Sequence, residues 1–243
     1  MQKNSHMHFI QSPITAILTN AVAASSGIGN GIETYSLYDY LMQSVFLKMT
    51  GAQEQKMKCI CWEIASADYD YRYERFSKRT LGECSSYDEK KIVYKDLLDQ
   101  IRKTNPGFNA LTDIPKEELL NETIADVQEV FTKTNFSIWG QKNLDEFLNT
   151  NKLIEVEDFI ARVDKKSDDT KLFENKLKNM YEALYKHRNR CAHNTESYQR
   201  NLPTLNALIK KEYRYENYFV WFAILILIDK IFIALFNKYL EDA

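Results

Sequence analysis

The chain has 243 residues, of which 44% are hydrophobic and 27% are charged, so it can form a core and is not of a disordered composition. Only 7 glycines and 4 prolines occur in that length, which argues against β-sandwiches, barrels and folds built on glycine-rich phosphate loops. The net charge of −2 gives the chain as a whole no strong attraction to nucleic acid or to membranes.

The N-terminal stretch, residues 1–35, is interpreted as a lead-in, with an apolar piece from Ile14 to Ala24 followed by a flexible glycine-containing connection. Its glycines resemble part of a dinucleotide fingerprint, but no strand precedes them. Met1 to Gln11 lacks the pattern of a secretory signal, so we expect a cytoplasmic protein. The four scattered cysteines indicate reduced thiols, and we expect neither a metal nor another cofactor.

A single helical domain is predicted over 36–243, with 68–169 as a helical insertion or elaboration. The first helix is predicted from Ser36 to about Ala67, where apolar residues recur every three to four positions. Thr50 and Gly51 predict a break in it, because Thr50 and Gln53 have the spacing of a capping box. Residues 69–75 are polar and aromatic and are expected to finish a helix and enter a loop.

The middle of the chain predicts further helices. An amphipathic pattern covers 87–103 and stops at Asn105-Pro106-Gly107, and another runs from Pro115 to about Lys133. Shorter helices are predicted at about 137–149 and 153–164. Residues 164–169 are interpreted as a solvated linker.

Two helices are predicted after that linker. The first covers 170–193 and has an apolar stripe from Phe173 to Cys191. The second covers about 214–240. Its apolar run from Tyr218 to Ile228 is too short to span a bilayer before the charged pair Asp229-Lys230, which favours a core helix. Membrane anchoring through 218–236 is the weaker alternative, and solubility without detergent would separate the two.

The most informative motif is Arg188-Asn189-Arg190-Cys191-Ala192-His193-Asn194, near the end of the 170–193 helix. It lies within residues 170–214, which carry ten Lys or Arg against four Glu, so a polyanion is favoured there. His suits proton transfer near neutral pH. Arg suits the stabilisation of charge on a phosphate.

The pattern R-N-x-x-A-H formed by Arg188, Asn189 and His193 resembles the R-x(4–6)-H motif of the HEPN superfamily. The resemblance implies an all-α, HEPN-like helical bundle, with additional helices here in the middle region. It further implies a two-fold homodimer acting as a metal-independent endoribonuclease in antiviral defence, toxin–antitoxin or RNA-processing systems. Toxins of this kind that pair with nucleotidyltransferase antitoxins have Tyr two positions after the His, whereas this chain has Thr195.

The roles implied by that resemblance place Arg188, His193 and Asn189 in catalysis. Arg190, Lys186 and His187 are candidates for holding flanking phosphates of RNA, although the apolar stripe favours a core position for His187. Positions 188 and 193 are about 140° apart on an ideal helix. Their convergence therefore requires either that the helix ends or distorts near Ala192-His193 or that a second copy contributes.

Two functional hypotheses remain open. The first is an RNA-cleaving homodimer with an antitoxin or defence-system partner and no membrane contact. The second is a non-catalytic, HEPN-like helical interaction or scaffold protein. In the second case the His at the helix end contacts only terminal carbonyls, and Arg188 serves as an ion-pair partner, with Glu54 as one candidate.

Overall fold

The structure is a computed structural model in which long helices surround one apolar helix. It describes residues 2–29, 31–132, 134–149, 154–164, 167–193 and 217–242, and the side chains of 2–5, 162–164, 167–170, 193 and 242 lie outside the described part. The elements are α1 (Gln2–Gln11), α2 (Thr15–Ala24), α3 (Tyr35–Ala67), α4 (Tyr69–Tyr73), α5 (Tyr87–Thr104), α6 (Ala110–Asp113), α7 (Lys116–Phe131), α8 (Asn135–Trp139), α9 (Gln141–Asn149), β1 (Phe159–Asp164), β2 (Ser167–Phe173), α10 (Asn175–His193) and α11 (Tyr218–Asp242). The all-α class is confirmed.

The centre of the core is α11. Every residue from Phe219 to Asp229 is at most 2% exposed, and the helix packs against α3, α5 and α7. Among the described helices it is the one long and apolar enough to cross a membrane, but most of it is buried inside the protein. A core helix of a soluble protein has these same properties.

The N-terminal helices belong to the same core. Ile10, Ile14, Leu18 and Val22 are buried, and both α1 and α2 pack against α3. Because Ile14 N donates to Oδ2 of Asp229 at 2.9 Å, the connection between α1 and α2 is bonded directly to α11. The stretch interpreted as a lead-in thus contributes two packed helices.

The predicted break in α3 is wrong. Thr50 does not cap a new helix: its Oγ1 donates to Leu47 O at 2.8 Å, inside the continuous helix Tyr35–Ala67. A hydroxyl that bonds to a carbonyl of the preceding turn is compatible with a helix interior. Glu54 and Lys56 are therefore held on one rigid element.

The helix predicted at 153–164 is also wrong, and so is the start of the next helix at 170. Phe159–Asp164 and Ser167–Phe173 form an antiparallel hairpin that pairs Phe159 with Phe173, and α10 begins only at Asn175. The proposed linker at 164–169 belongs largely to these two strands. Both phenylalanines are fully buried, and Tyr87 donates from its hydroxyl to Phe173 O at 3.0 Å.

Two other helices of the middle region, α5 and α7, match their predictions closely. Helix α5 begins with a capping box of Ser86 and Glu89 and ends before Asn105-Pro106-Gly107. Helix α7 follows Pro115 directly. The polar stretch after α3 forms α4 and then a π-helical turn, Glu74–Lys78.

Candidate functional site

The motif lies where the C-terminal half of α10 packs along α3. The contacts run in opposite order along the two helices: Gln43 Nε2 donates to Cys191 Sγ at 3.0 Å, and the rings of Phe46 and His187 are 5.5 Å apart. The two helices are therefore antiparallel. This arrangement brings the end of α10 close to the start of α3.

Arg188 is bonded to Glu54 across this helix pair. Its Nη2 donates to both carboxylate oxygens, at 3.0 and 3.1 Å, and its Nη1 donates to Asn189 Oδ1 at 3.1 Å. Both terminal nitrogens of the guanidinium are thus bonded, which fixes its orientation. The side chains of Arg188 and Glu54 are 24% and 12% exposed, so solvent reaches the pair. Two predicted site residues, Arg188 and Asn189, are thus brought together.

Glu54 also faces a second cation that the sequence did not indicate. Lys90 is buried and donates from Nζ to Cys84 O at 2.6 Å. Burial lowers the pKa of Lys90 to about 8, and the nearby Glu54 opposes that shift. Its Nζ also lies 5.9 Å from the centre of the Tyr181 ring. The carboxylate of Glu54 therefore balances positive charge on two sides.

His187 is part of an aromatic cluster. Its ring centre is 4.2 Å from that of Trp221, and its Nε2 is 3.1 Å from the Tyr218 hydroxyl. Burial, with a smaller contribution from Arg190, lowers the pKa of His187 to about 4. A neutral imidazole packed among rings is a poor phosphate ligand, so this geometry favours the core role over phosphate binding.

Cys191 lies beside that imidazole, with its Sγ 3.3 Å from His187 Nε2. Burial raises the pKa of the Cys191 thiol, which keeps it protonated and weakly nucleophilic at neutral pH. The contact of Gln43 with Cys191 was not predicted, because sequence spacing carries no information on contacts between distant helices.

The other predicted residues lie around this helix end. Lys186 is exposed and Arg190 is partly buried, with its Nη2 3.4 Å from His187 Nδ1. His193 is the last residue of α10; its side chain, like all of Asn194 and Thr195, lies outside the described part. Because α10 continues unbroken from Arg188 to His193, these two positions keep the separation of about 140° expected on a helix.

The described residues contain no group of three or more His, Cys, Asp or Glu placed to hold a metal ion. Their four cysteines are free thiols. Comparison of the chain with family models, with curated proteins and with solved structures gave no match. The resemblance to HEPN proteins therefore stays a prediction from the sequence motif.

Proposed function

We propose that the protein is a metal-independent endoribonuclease of the HEPN type, with Arg188, His193 and Asn189 as its catalytic residues. The observation that carries the proposal is the position of Arg188. Its guanidinium is held by Glu54 and Asn189 and is accessible to solvent, and the motif His lies five residues further along the same helix. Orientation by neighbouring groups is what a charge-stabilising arginine requires.

His193 and Arg188 have different roles in the proposed reaction. The ribose 2′-OH loses its proton and attacks the adjacent phosphorus, and the bond from phosphorus to the 5′-oxygen breaks as that oxygen gains a proton. His193 serves the proton transfers, and Arg188 stabilises the negative charge that develops on the phosphate oxygens. Asn189 orients the guanidinium. The products are a 2′,3′-cyclic phosphate and a 5′-hydroxyl, and Lys186 and Arg190 are candidates for holding flanking phosphates.

The active form in this proposal is a homodimer. Arg188 and His193 occupy positions on different sides of an unbroken α10, which supports a site completed by a second copy. Large apolar side chains are also exposed at the adjoining end of the molecule: Ile32, Tyr35, Leu37, Tyr40 and Ile138. Tyr40 is about one helical turn from Gln43, which contacts α10. An exposed apolar group of this kind is typical of an interface.

The proposed setting is the cytoplasm, where the enzyme would act in antiviral defence or as a toxin controlled by an antitoxin or another defence-system protein. Burial of α11 supports a protein that does not anchor in a membrane. Thr195, in place of Tyr, disfavours control by modification at that position.

The first test is RNA cleavage by Arg188→Ala and His193→Ala variants, with Lys48→Ala as an exposed control on α3. Each motif variant should lose about 10²–10⁴ in cleavage rate, the usual effect of removing one acid–base or charge-stabilising group, while its melting curve shows that it remains folded at the assay temperature. Cleavage should persist in EDTA, spare DNA, and leave a 2′,3′-cyclic phosphate. Normal cleavage by both variants, or a 3′-hydroxyl product, would refute the mechanism.

A mixing experiment tests the shared site. When Arg188→Ala and His193→Ala chains are unfolded and refolded together, a mixed dimer retains Arg188 on one chain and His193 on the other. If the site spans two copies, one intact site per mixed dimer returns and cleavage is partly restored. If each chain holds a complete site, the mixture stays inactive. A monomer across micromolar concentrations in light scattering would contradict the shared site directly.

One observation favours the alternative of a non-catalytic interaction or scaffold protein: the charge of Arg188 is already balanced by Glu54. The double variant Glu54→Gln/Arg188→Met separates the two functions, because it removes both charges and keeps the side-chain volumes similar. A purely structural pair predicts that stability and any RNA-linked activity both recover relative to Arg188→Met. Catalysis by Arg188 predicts that only stability recovers.

A further inference from the structure

A cavity lies away from the motif, between the C-terminal part of α3, the π-helical turn and the loop that leads to α5. Its volume is about 290 Å³, close to the lower limit for pockets that take small organic ligands. The lining residues are Lys58, Cys61, Trp62, Arg75, Phe76, Thr80, Leu81, Gly82 and Cys84. None of them belongs to the motif or to its proposed partners.

The cavity combines flat rings with an apolar floor. Trp62 and Phe76 are 56% and 47% exposed, whereas Tyr94, Phe131 and most other large aromatic side chains of the core are fully buried. The floor includes the buried thiol of Cys61, whose pKa is raised to about 12 by burial, so it remains a neutral, apolar group. Half-exposed rings over such a floor are suited to contact with a planar molecule.

The cavity also holds one cation whose partner is easily replaced. Lys58 Nζ bonds to the carboxylate of Glu83, which is 78% exposed. Exposed pairs of this kind contribute roughly 0–1 kcal/mol, so a stronger anion can displace Glu83. Arg75 differs, since its guanidinium is bonded at two points to the buried carboxylate of Asp96.

The walls of the cavity are fixed by bonds that a ligand would not disturb. Asp96 accepts from the Tyr71 hydroxyl at 3.1 Å as well as from Arg75, which fastens the π-helical turn to α5. On the other wall, Tyr181 donates to Ser85 O at 2.7 Å. Cys84, held by Lys90, has a positive φ of 59°, a conformation that is uncommon for residues other than glycine and persists where the surroundings impose it. The pocket is therefore preformed, and π-helical turns of this kind occur often at functional sites.

We propose that this cavity binds a small organic anion that carries a flat aromatic ring. The ring contacts Trp62 and Phe76, and the carboxylate or phosphate takes the place of Glu83 on Lys58. The proposal is independent of RNA cleavage, because it uses none of the residues assigned to that reaction. Nucleotides and aromatic carboxylic acids share this chemistry, and the experiment distinguishes them.

Isothermal titration calorimetry tests it with two matched pairs of probes. Adenosine 5′-monophosphate is compared with adenosine, and indole-3-acetate is compared with indole. We expect the anion of at least one pair to bind, and to bind about tenfold or more tightly than its neutral analogue, because a hydrogen bond between charged groups is lost in the latter. The pair that binds identifies the source as nucleotide-like or carboxylate-like.

Variants show whether that binding occurs in the cavity. Lys58→Met should weaken binding of the anion about tenfold or more, Glu83→Gln should strengthen it, and Lys48→Met, on the exposed surface of α3, should leave it unchanged. Trp62→Leu should weaken binding and remove the ligand-dependent change in tryptophan fluorescence. Melting temperatures establish that each variant is folded.

The proposal is overturned if no probe binds at concentrations up to about 1 mM, the weak end of specific affinity. It is equally overturned if a probe binds but Lys58→Met and Trp62→Leu leave its affinity unchanged, since the ligand then lies elsewhere.

Discussion

Two ion pairs extend from α3 in opposite directions, and they differ in their access to water. Glu54 and Lys56 are two residues apart, so they project from different sides of the helix. Glu54 meets Arg188 of α10, with both side chains partly exposed. Lys56 meets Asp229 of α11 at 2.6 Å, with both side chains 2% exposed.

The sealed pair, Lys56 and Asp229, has all its partners inside the protein. Lys56 also donates to Ser12 O, and Asp229 also accepts from Ile14 N, so the pair holds the α1–α2 connection on the core helix. Burial lowers the pKa of Lys56 and raises that of Asp229, and each partner opposes the shift of the other. A charge enclosed in this way can stabilise a fold but cannot meet a substrate. The open pair, Arg188 and Glu54, is oriented by its bonds and still accessible to solvent, which is what chemistry on a phosphate needs.

The largest effect is expected from breaking the sealed pair. Asp229→Ala leaves the ammonium of Lys56 buried without its counter-charge, and removal of one partner of a buried pair typically destabilises a protein by about 3–5 kcal/mol. Urea unfolding measures this change in the free energy of unfolding. Lys56→Met/Asp229→Leu should recover most of it, because two apolar groups replace two charges.

The matched control for that experiment is Glu122→Gln. Glu122 is 49% exposed and pairs with Lys230, the residue that follows Asp229, so its loss should change stability by less than about 1 kcal/mol. Equal effects of Asp229→Ala and Glu122→Gln would mean that enclosure does not distinguish the pairs.

A smaller loss of stability is expected at acidic pH, through protonation of His187. The pKa of His187 is about 4 in the folded protein and about 6.5 in an unfolded chain. Between these values the unfolded state binds a proton that the folded state does not, so stability falls as the pH falls from about 6.5 to about 4. Because His187 is partly exposed, we expect the free energy of unfolding to fall by about 1–3 kcal/mol over this pH range.

His187→Phe isolates this contribution. Urea unfolding at several pH values should show a shallower decline for the variant than for the parent, while the other titrating groups contribute alike to both. Parallel pH profiles would show that His187 becomes protonated in the folded protein, and its enclosure among Trp221, Tyr218 and Phe46 would then be incorrect.

The sequence predicted the elements whose signals are local. The amphipathic pattern and the Asn-Pro-Gly stop define α5, and the uninterrupted apolar run defines α11. The hairpin was missed because Ser167, Asp168 and Asp169 show no apolar alternation, so β2 has no clear strand pattern. Contacts such as that of Arg188 with Glu54, 134 residues apart, depend on helix packing. The sequence named Glu54 as one candidate partner of Arg188, but spacing along the chain could not establish the contact.

The smallest effect is expected from Glu54→Gln. Two features limit the loss of stability to about 1 kcal/mol at neutral pH. The guanidinium of Arg188 keeps its bond to Asn189 and becomes hydrated. Lys90, whose pKa is about 8 with Glu54 present, can release its proton once that carboxylate is gone. Urea unfolding of Glu54→Gln beside Asp229→Ala measures the contrast. A loss of 3–5 kcal/mol, as for the sealed pair, would make Glu54 a structural anchor and would favour the scaffold hypothesis over catalysis. A small loss accompanied by slower RNA cleavage would show that the carboxylate acts by positioning Arg188, since the fold then tolerates the change and the reaction does not.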